Sequence, residues 1–165
     1  MRISILYVSQ SGNTEKAAGF IQEGIQLAGS VDVKLMNLTN EGTLDAEFVK
    51  DSAAVIIGTP TYAAGMAWQL KKWLDTDRSV NLAGKLGAAF STANFVHGGA
   101  DVAIADVLQH LLVNGMLVYS SGAGCGKPII HLGPVAIAGA LDNTRDLFVT
   151  FGRRVAEKAL ALFGA

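Results

Sequence analysis

A single cysteine, Cys125, among 165 residues leaves no internal disulfide framework to hold the fold. Net charge is just as scant. Thirteen Lys and Arg against 14 Asp and Glu leave a formal −1, so the chain lacks the field that would gather nucleic acid or an anionic membrane surface. No stretch reaches the roughly 18 consecutive apolar residues of a membrane span. The opening "MRISILYV" carries one arginine and too short an apolar run for a secretory signal. Internal repeats, low-complexity tracts and linkers are missing, and His97, His110 and His131 lack metal-ligand spacing. The expectation is a cytoplasmic protein with one domain over residues 1–165 and no metal. Half of the residues are hydrophobic and 16% are charged, enough to bury a substantial core.

That apolar content comes in strand-length runs: "RISILYV" (2–8), "VDVKLMNL" (31–38), "AAVIIGT" (53–59), "KLGAAFST" (85–92) and "MLVYSS" (116–121). The first, third and fourth are nearly continuous, as strands covered on both faces should be. Helical spacing fills the gaps. Ala17, Ile21, Ile25 and Ala28 form one stripe. Val102, Ala105, Leu108, Leu111 and Leu112 form a second, and a last helix over about 143–163 carries Leu147, Phe151, Val155, Ala159 and Leu160. The segment "TNEGTLDAEFVKDS" reads as a solvated crossover with a short helix. Strands alternating with helices predict an α/β three-layer sandwich, a five-stranded parallel sheet in the order 2-1-3-4-5. Ligands of such sheets bind at the carboxyl ends of the strands where the order reverses. That brings together the loops 9–14, 59–66 and 91–100.

The first loop, Ser9-Gln10-Ser11-Gly12-Asn13-Thr14, holds three hydroxyls, a glycine and two amides but no lysine or arginine. A helix beginning near Thr14 points unpaired N–H groups and its positive dipole end into it. Ser9, Ser11, Asn13 and Thr14 add side-chain donors, a set that suits a phosphate. A capping role for Asn13 or Thr14 would explain one polar residue, not four. The NTPase loop requires a lysine, and the dinucleotide pattern requires spaced glycines, where Gly12 stands alone. The loop therefore reads as a mononucleotide site with neutral donors.

At these residues the chain resembles a known family. "SQSGNT" is similar to the Ser/Thr-x-Ser/Thr-Gly-x-Thr phosphate loop of flavodoxin-like FMN proteins. "GTPTYAAGMAWQLKKWLD" (58–75), "FSTANFVHGGAD" (90–101) followed by "NGMLV" (114–118), and "GPVAIAG" (133–139) resemble, in order, the quinone oxidoreductases first described as tryptophan-repressor-binding proteins. The resemblance implies a flavodoxin-like fold with FMN as cofactor. It places the FMN phosphate on Ser9 to Thr14 and the ring along Pro60, Thr61, Tyr62, Ala63, Ala64 and Gly65. The loop of Ser91, Thr92, Ala93, Asn94, Phe95, His97, Gly98 and Gly99 would supply the other wall. Tyr62 offers a face for stacking, Phe95 a flank opposite it, and His97 a donor near the ring or a cap for the helix starting near Asp101. Pro60 would stiffen the turn and Gly65 would permit close approach. The family usually has an aromatic residue where Ser11 stands, a base at Tyr62 and a histidine at Val113, and "DTDRSVNLAGK" lacks its insertion.

The implied activity is an FMN-dependent NAD(P)H oxidoreductase that passes hydride through flavin N5 to a quinone or similar small acceptor. Tyr62 and His97 are the candidate catalytic side chains, and the chemistry itself belongs to the flavin. The alternative is a flavodoxin-type one-electron carrier between redox protein partners, which would normally be strongly acidic. Met66, Trp68, Leu70, Trp73, Ile104, Val107 and Leu111 predict a homo-oligomer, dimer or tetramer, through the helices that carry them. "SGAGCGK" (121–127) has the wrong spacing for a nucleotide loop and reads as a flexible turn with Cys125 exposed.

Overall fold

The computed structural model describes residues 1–39 and 42–164. Its elements follow the predicted alternation: β1 (Arg2–Tyr7), α1 (Asn13–Leu27), β2 (Asp32–Asn37), α2 (Ala46–Asp51), β3 (Ser52–Tyr62), β4 (Gly65–Met66), α3 (Trp68–Thr76), β5 (Leu86–Ala93), α4 (Ala100–Val113), β6 (Leu117–Val118), β7 (Val135–Ile137) and α5 (Arg145–Phe163). The sheet runs β2-β1-β3-β5-β6, with every neighbour on that path parallel. This is the flavodoxin-like order expected from sequence. Ile3, Ile5, Tyr7, Ile56 and Phe90 pack beneath α1 and α5, while Leu6, Val8, Val55, Ile57 and Ala89 pack beneath α3 and α4. Both faces of the central strands are thus buried, which is why their sequences read as unbroken apolar runs.

The fifth sheet position departs from expectation. Of "MLVYSS", only Leu117–Val118 pair with β5, at Leu86 and Gly87. The chain then leaves the sheet over 119–134 and returns as β7, paired with β5 at Ser91 to Ala93. The "SGAGCGK" segment in that excursion is pinned rather than loose. Arg154 of α5, 8% exposed, donates to the carbonyls of Gly126, Lys127 and Pro128 and to Ser121 Oγ at 3.0–3.2 Å. Four oxygens converging on one buried guanidinium satisfy a charge that would otherwise be costly to bury.

The stripe expected on α4 is also out of phase. Ala103, Ile104, Val107, Leu108 and Leu111 face the core, while Val102 and Leu112 are exposed. The helix is apolar almost all round, so spacing alone did not fix its buried side. Consequently Ile104, Val107 and Leu111, with Leu70 on α3, are wholly buried within the chain and offer nothing to an oligomer interface. Trp68, also expected in that interface or in the core, is 65% exposed. In the crossover, Asp45 caps α2 by accepting from Phe48 N–H at 3.0 Å; Asn40 and Glu41 lie outside the described residues, as does Ala165. No described helix is long and apolar enough to cross a membrane.

Helices α1 and α5 meet at backbone distance. A Cβ on Gly24 would stand 1.9 Å from Val149 O, and one on Gly152 would stand 2.2 Å from Ile21 O. Gly152→Ala is expected to destabilise by about 3 kcal/mol, at the upper end of overpacking costs, because the obstacle is backbone. Gly19→Ala, on the same α1 with nothing within 4 Å of its Cβ, should instead stabilise by up to about 1 kcal/mol through helix propensity. Urea denaturation of the two variants checks both signs.

Candidate functional site

Three loops converge where β1, β3 and β5 end. The first opens α1 with Gly12 as N-cap in the left-handed region, φ 84°, a conformation glycine enters without strain. No side chain caps the helix at Gly12. The nearest substitute is Ser9 Oγ, which accepts from Glu15 N–H at 3.2 Å. Lys16 N–H bonds Gly12 O, and the amides of Asn13 and Thr14 find no partner among the described residues. Neither Asn13 nor Thr14 serves as a cap. Asn13 Nδ2 donates to Ser11 Oγ at 3.4 Å, and the buried Thr14 hydroxyl meets that of Thr92 at 2.9 Å. Two free amides at the positive end of a 15-residue helix form a ready anion seat.

That seat is fixed from below by residues that the sequence reading passed over. Asn37, the last residue of β2, and Thr39, just past it, bracket Ser9. Its N–H donates to Asn37 Oδ1 at 3.2 Å and Thr39 Oγ1 at 3.0 Å, and Asn37 Nδ2 returns a bond to Ser9 O. A polar pair ending an otherwise amphipathic strand was the available signal. Tyr7, also just below the loop, donates to Glu15 Oε1 at 3.1 Å. Burial, then the Glu15 carboxylate, pushes the Tyr7 phenol up to about 12.

The second loop is a hairpin, not the sharp strand-to-helix turn expected. β3 continues through Pro60 to Tyr62 and turns back on Ala63 and Ala64 into β4, with Tyr62 opposite Gly65. Ala63 at φ 48° and Ala64 at φ 63° are both left-handed, the backbone of a two-residue hairpin turn normally given to Asn or Gly. Gly65, expected to supply the conformational freedom, does not adopt a positive φ. Each alanine costs roughly 1 kcal/mol in that region, so the surroundings must hold them there. Gly99, φ 85°, does so by approach: a Cβ on it would lie 2.6 Å from Ala64 Cβ. Thr59 Oγ1 accepts from Ala67 N–H at 2.9 Å and fastens the hairpin's far end.

The third loop starts from a strand buried throughout. Thr92, Ala93 and Asn94 face the cleft. Ser91, a candidate ligand residue, instead donates to Ala100 O at 3.1 Å in the interior. Gly99 is the N-cap of α4 and no side chain caps it, so His97 does not cap that helix. His97 lies beside Phe95, ring centroids 6.1 Å apart; both are exposed on the loop, and neither lines the cleft between the loops.

Between these loops lies a cleft of about 190 Å³. Gln10, Ser11, Asn13 and Thr14 line it from the first loop, Pro60, Thr61 and Tyr62 from the second, and Thr92, Ala93 and Asn94 from the third. Not one lining side chain is charged. Tyr62 OH donates to Gln10 Oε1 at 3.4 Å, spanning the mouth. Ser9, Gly12, Ala63, Ala64, Gly65, Gly98 and Gly99 shape the loops without lining the cleft. Thr61 Oγ1 is buried and has no hydrogen-bond partner among the described residues. A buried hydroxyl without a partner is rare and costly, and one in a cleft wall asks for a ligand group.

The chain is similar to known proteins. Residues 1–125 match the family model described as NADPH-dependent FMN reductase. The chain is 48% identical over 163 residues to a flavodoxin of Clostridium saccharobutylicum, covering 99% of this chain and 100% of that one. It is 30% identical over 157 residues to an NAD(P)H dehydrogenase (quinone) of Azorhizobium caulinodans, covering 83% and 76%. Among solved structures, a flavodoxin from the domain Archaea has the same fold, with a TM-score of 0.74 at 24% identity over 96% of this chain and 99% of that one.

Thr61→Val, which keeps the shape and removes the orphaned hydroxyl, is expected to raise the stability of the ligand-free chain by about 1 kcal/mol. Denaturant midpoints of the two ligand-free proteins decide it, and a loss of stability would show that Thr61 Oγ1 is satisfied in solution.

Proposed function

Because the chain belongs to the NADPH-dependent FMN reductase family, with FMN as its cofactor, we propose that it is an NAD(P)H-dependent oxidoreductase delivering electrons to a quinone or similar small acceptor. The observation that carries this reading is the uncharged lining of the cleft. Protein carriers steer their partners with charge, and this cleft presents amides, hydroxyls and the apolar face of Tyr62 instead. Small, flat reactants need only a position and an exclusion of water.

The residues fit the cofactor. Free amides at Asn13 and Thr14, with the Ser11 hydroxyl beside them, suit a terminal phosphate with no cation in the cradle. The orphaned Thr61 Oγ1 and the Asn94 amide offer hydrogen bonds in a wall otherwise made of Pro60, Ala93 and Tyr62. Bound FMN would supply the redox chemistry, accepting hydride from a nicotinamide and yielding electrons to the acceptor. The chain would hold the phosphate on α1, orient the ring between the hairpin and the third loop, and leave one side open above Tyr62. His97, exposed on the third loop, would be the candidate proton donor to an arriving acceptor.

A second reading, a one-electron carrier between protein partners, draws support from the Clostridium flavodoxin, which matches end to end. Steady-state assay separates the two. The FMN-loaded protein should oxidise NADPH or NADH with benzoquinone over many turnovers, whereas a carrier would show no sustained nucleotide oxidation without a partner reductase.

The cradle has its own test. Ser11→Ala with Thr14→Ala should weaken FMN at least about tenfold, since bonds to a charged group are worth more than neutral ones. Riboflavin, which has no phosphate, should lose far less in the same titration of flavin fluorescence. Equal losses would remove the phosphate from this loop.

A further inference from the structure

The first turn of α1 carries an acid where an anion is to be received. Glu15 stands two places after Asn13, the first residue of the helix. From that position a carboxylate can fold back onto the amides at the head of its own helix and cap them. It would then lie on the Gly12 amide, beside those of Asn13 and Thr14, none of which has a partner among the described residues. The chain's own charge would fill the seat. α2 shows a helix head closed by its own side chain, where Asp45 accepts from Phe48 N–H at 3.0 Å.

Glu15 does not fold back. Its Oε1 accepts from Tyr7 OH at 3.1 Å, and its own N–H is taken by Ser9 Oγ at 3.2 Å. Among the described residues no cation pairs with it: Lys16 is held by Asp142, and Arg145 by Glu23. Tyr7 ends β1 and is 3% exposed, its ring in the core with Ala17, Ala18 and Ile21 of α1. The hydroxyl is therefore fixed in place by packing. Burial, then the Glu15 carboxylate, pushes its phenol up to about 12, so it stays a donor throughout the neutral range.

We propose that Tyr7 keeps the anion seat open: by holding the Glu15 carboxylate to the side of the first turn, it stops α1 from capping itself and leaves the head amides to a phosphate. Tyr7 is a positioning residue. It acts through Glu15 and does not line the cleft. It has this part only if the seat takes the FMN phosphate, as proposed above. The acid has a use where it stands, since a negative charge in the first turn favours the helix dipole. Held by Tyr7, Glu15 supports the empty helix without occupying the amides that a ligand needs.

Tyr7→Phe keeps the ring and removes only the hydroxyl. The freed Glu15 should then cap α1, and FMN should bind roughly tenfold more weakly, the size of a good cap that the phosphate must displace. Riboflavin, which brings no phosphate, should bind this variant as it binds the native chain, and that retained affinity shows the variant is folded. Adding Glu15→Ala removes the carboxylate that fills the seat, so the double variant should regain native FMN affinity or exceed it. Titration of flavin fluorescence with the full chain reads every case. Unchanged FMN affinity in Tyr7→Phe, an equal loss for both flavins, or a double variant no tighter than Tyr7→Phe would each overturn the proposal. A phosphate-specific loss in the Ser11 and Thr14 variant, with none in Tyr7→Phe, would leave the seat standing and remove Tyr7 from it.

Discussion

The seat of α1 governs the whole carboxyl edge. Its N-terminus points two free amides at the cleft, and its axis can lie where it does only because Gly24 and Gly152 let it touch α5 backbone to backbone. A methyl at either position would push the helices apart and withdraw the anion seat from the ends of β3 and β5. Sheet burial orders the strands, but it leaves a helix free to slide and tilt. The glycine contact removes that freedom. Arg145 of α5, hydrogen-bonded to Glu23 of α1, adds a polar link beside it.

From that seat follows the character of the cradle. An anion held there by amide dipoles and hydroxyls would keep its charge without a buried lysine, whose desolvation would have to be offset elsewhere. The dipoles are preorganised by the helix and by the Asn37 and Thr39 bonds to Ser9, so little reorganisation is spent when an anion arrives. Thr14 and Thr92 join the first loop to the third, and Gly99 joins the third to the hairpin. The three loops are one mechanically connected rim.

Much of this could be read beforehand, and the reasons for the rest are physical. Doubly buried strands announce themselves as apolar runs, and a donor-rich loop ahead of an amphipathic helix announces the helix N-terminus that opens into the cleft. The hairpin at Ala63 and Ala64 did not, because alanine gives no sign of a positive φ; only the tertiary contact with Gly99 forces it. The buried side of α4 was hidden by apolar residues on nearly every side, so the spacing that works for α1 gave Val102 and Leu112 a place they do not hold. The broken fifth position was hidden by its shortness, since two paired residues carry no period. Arg154 reads as a surface charge until the carbonyls of 126–128 are seen around it.

The Arg154 cluster ties order in space to order in time. A chain emerging from the ribosome presents α1 and all of the sheet before α5 exists, yet the helix that α1 packs against carries its Arg145 122 positions beyond Glu23. The excursion 119–134 likewise has no interior of its own and waits for the guanidinium of residue 154. Completion of the seat at the head of α1 and ordering of the excursion therefore belong to a single late event, the docking of the final helix. Until it docks, a nascent chain has every loop residue of the cleft in hand and no rigid frame to hold them.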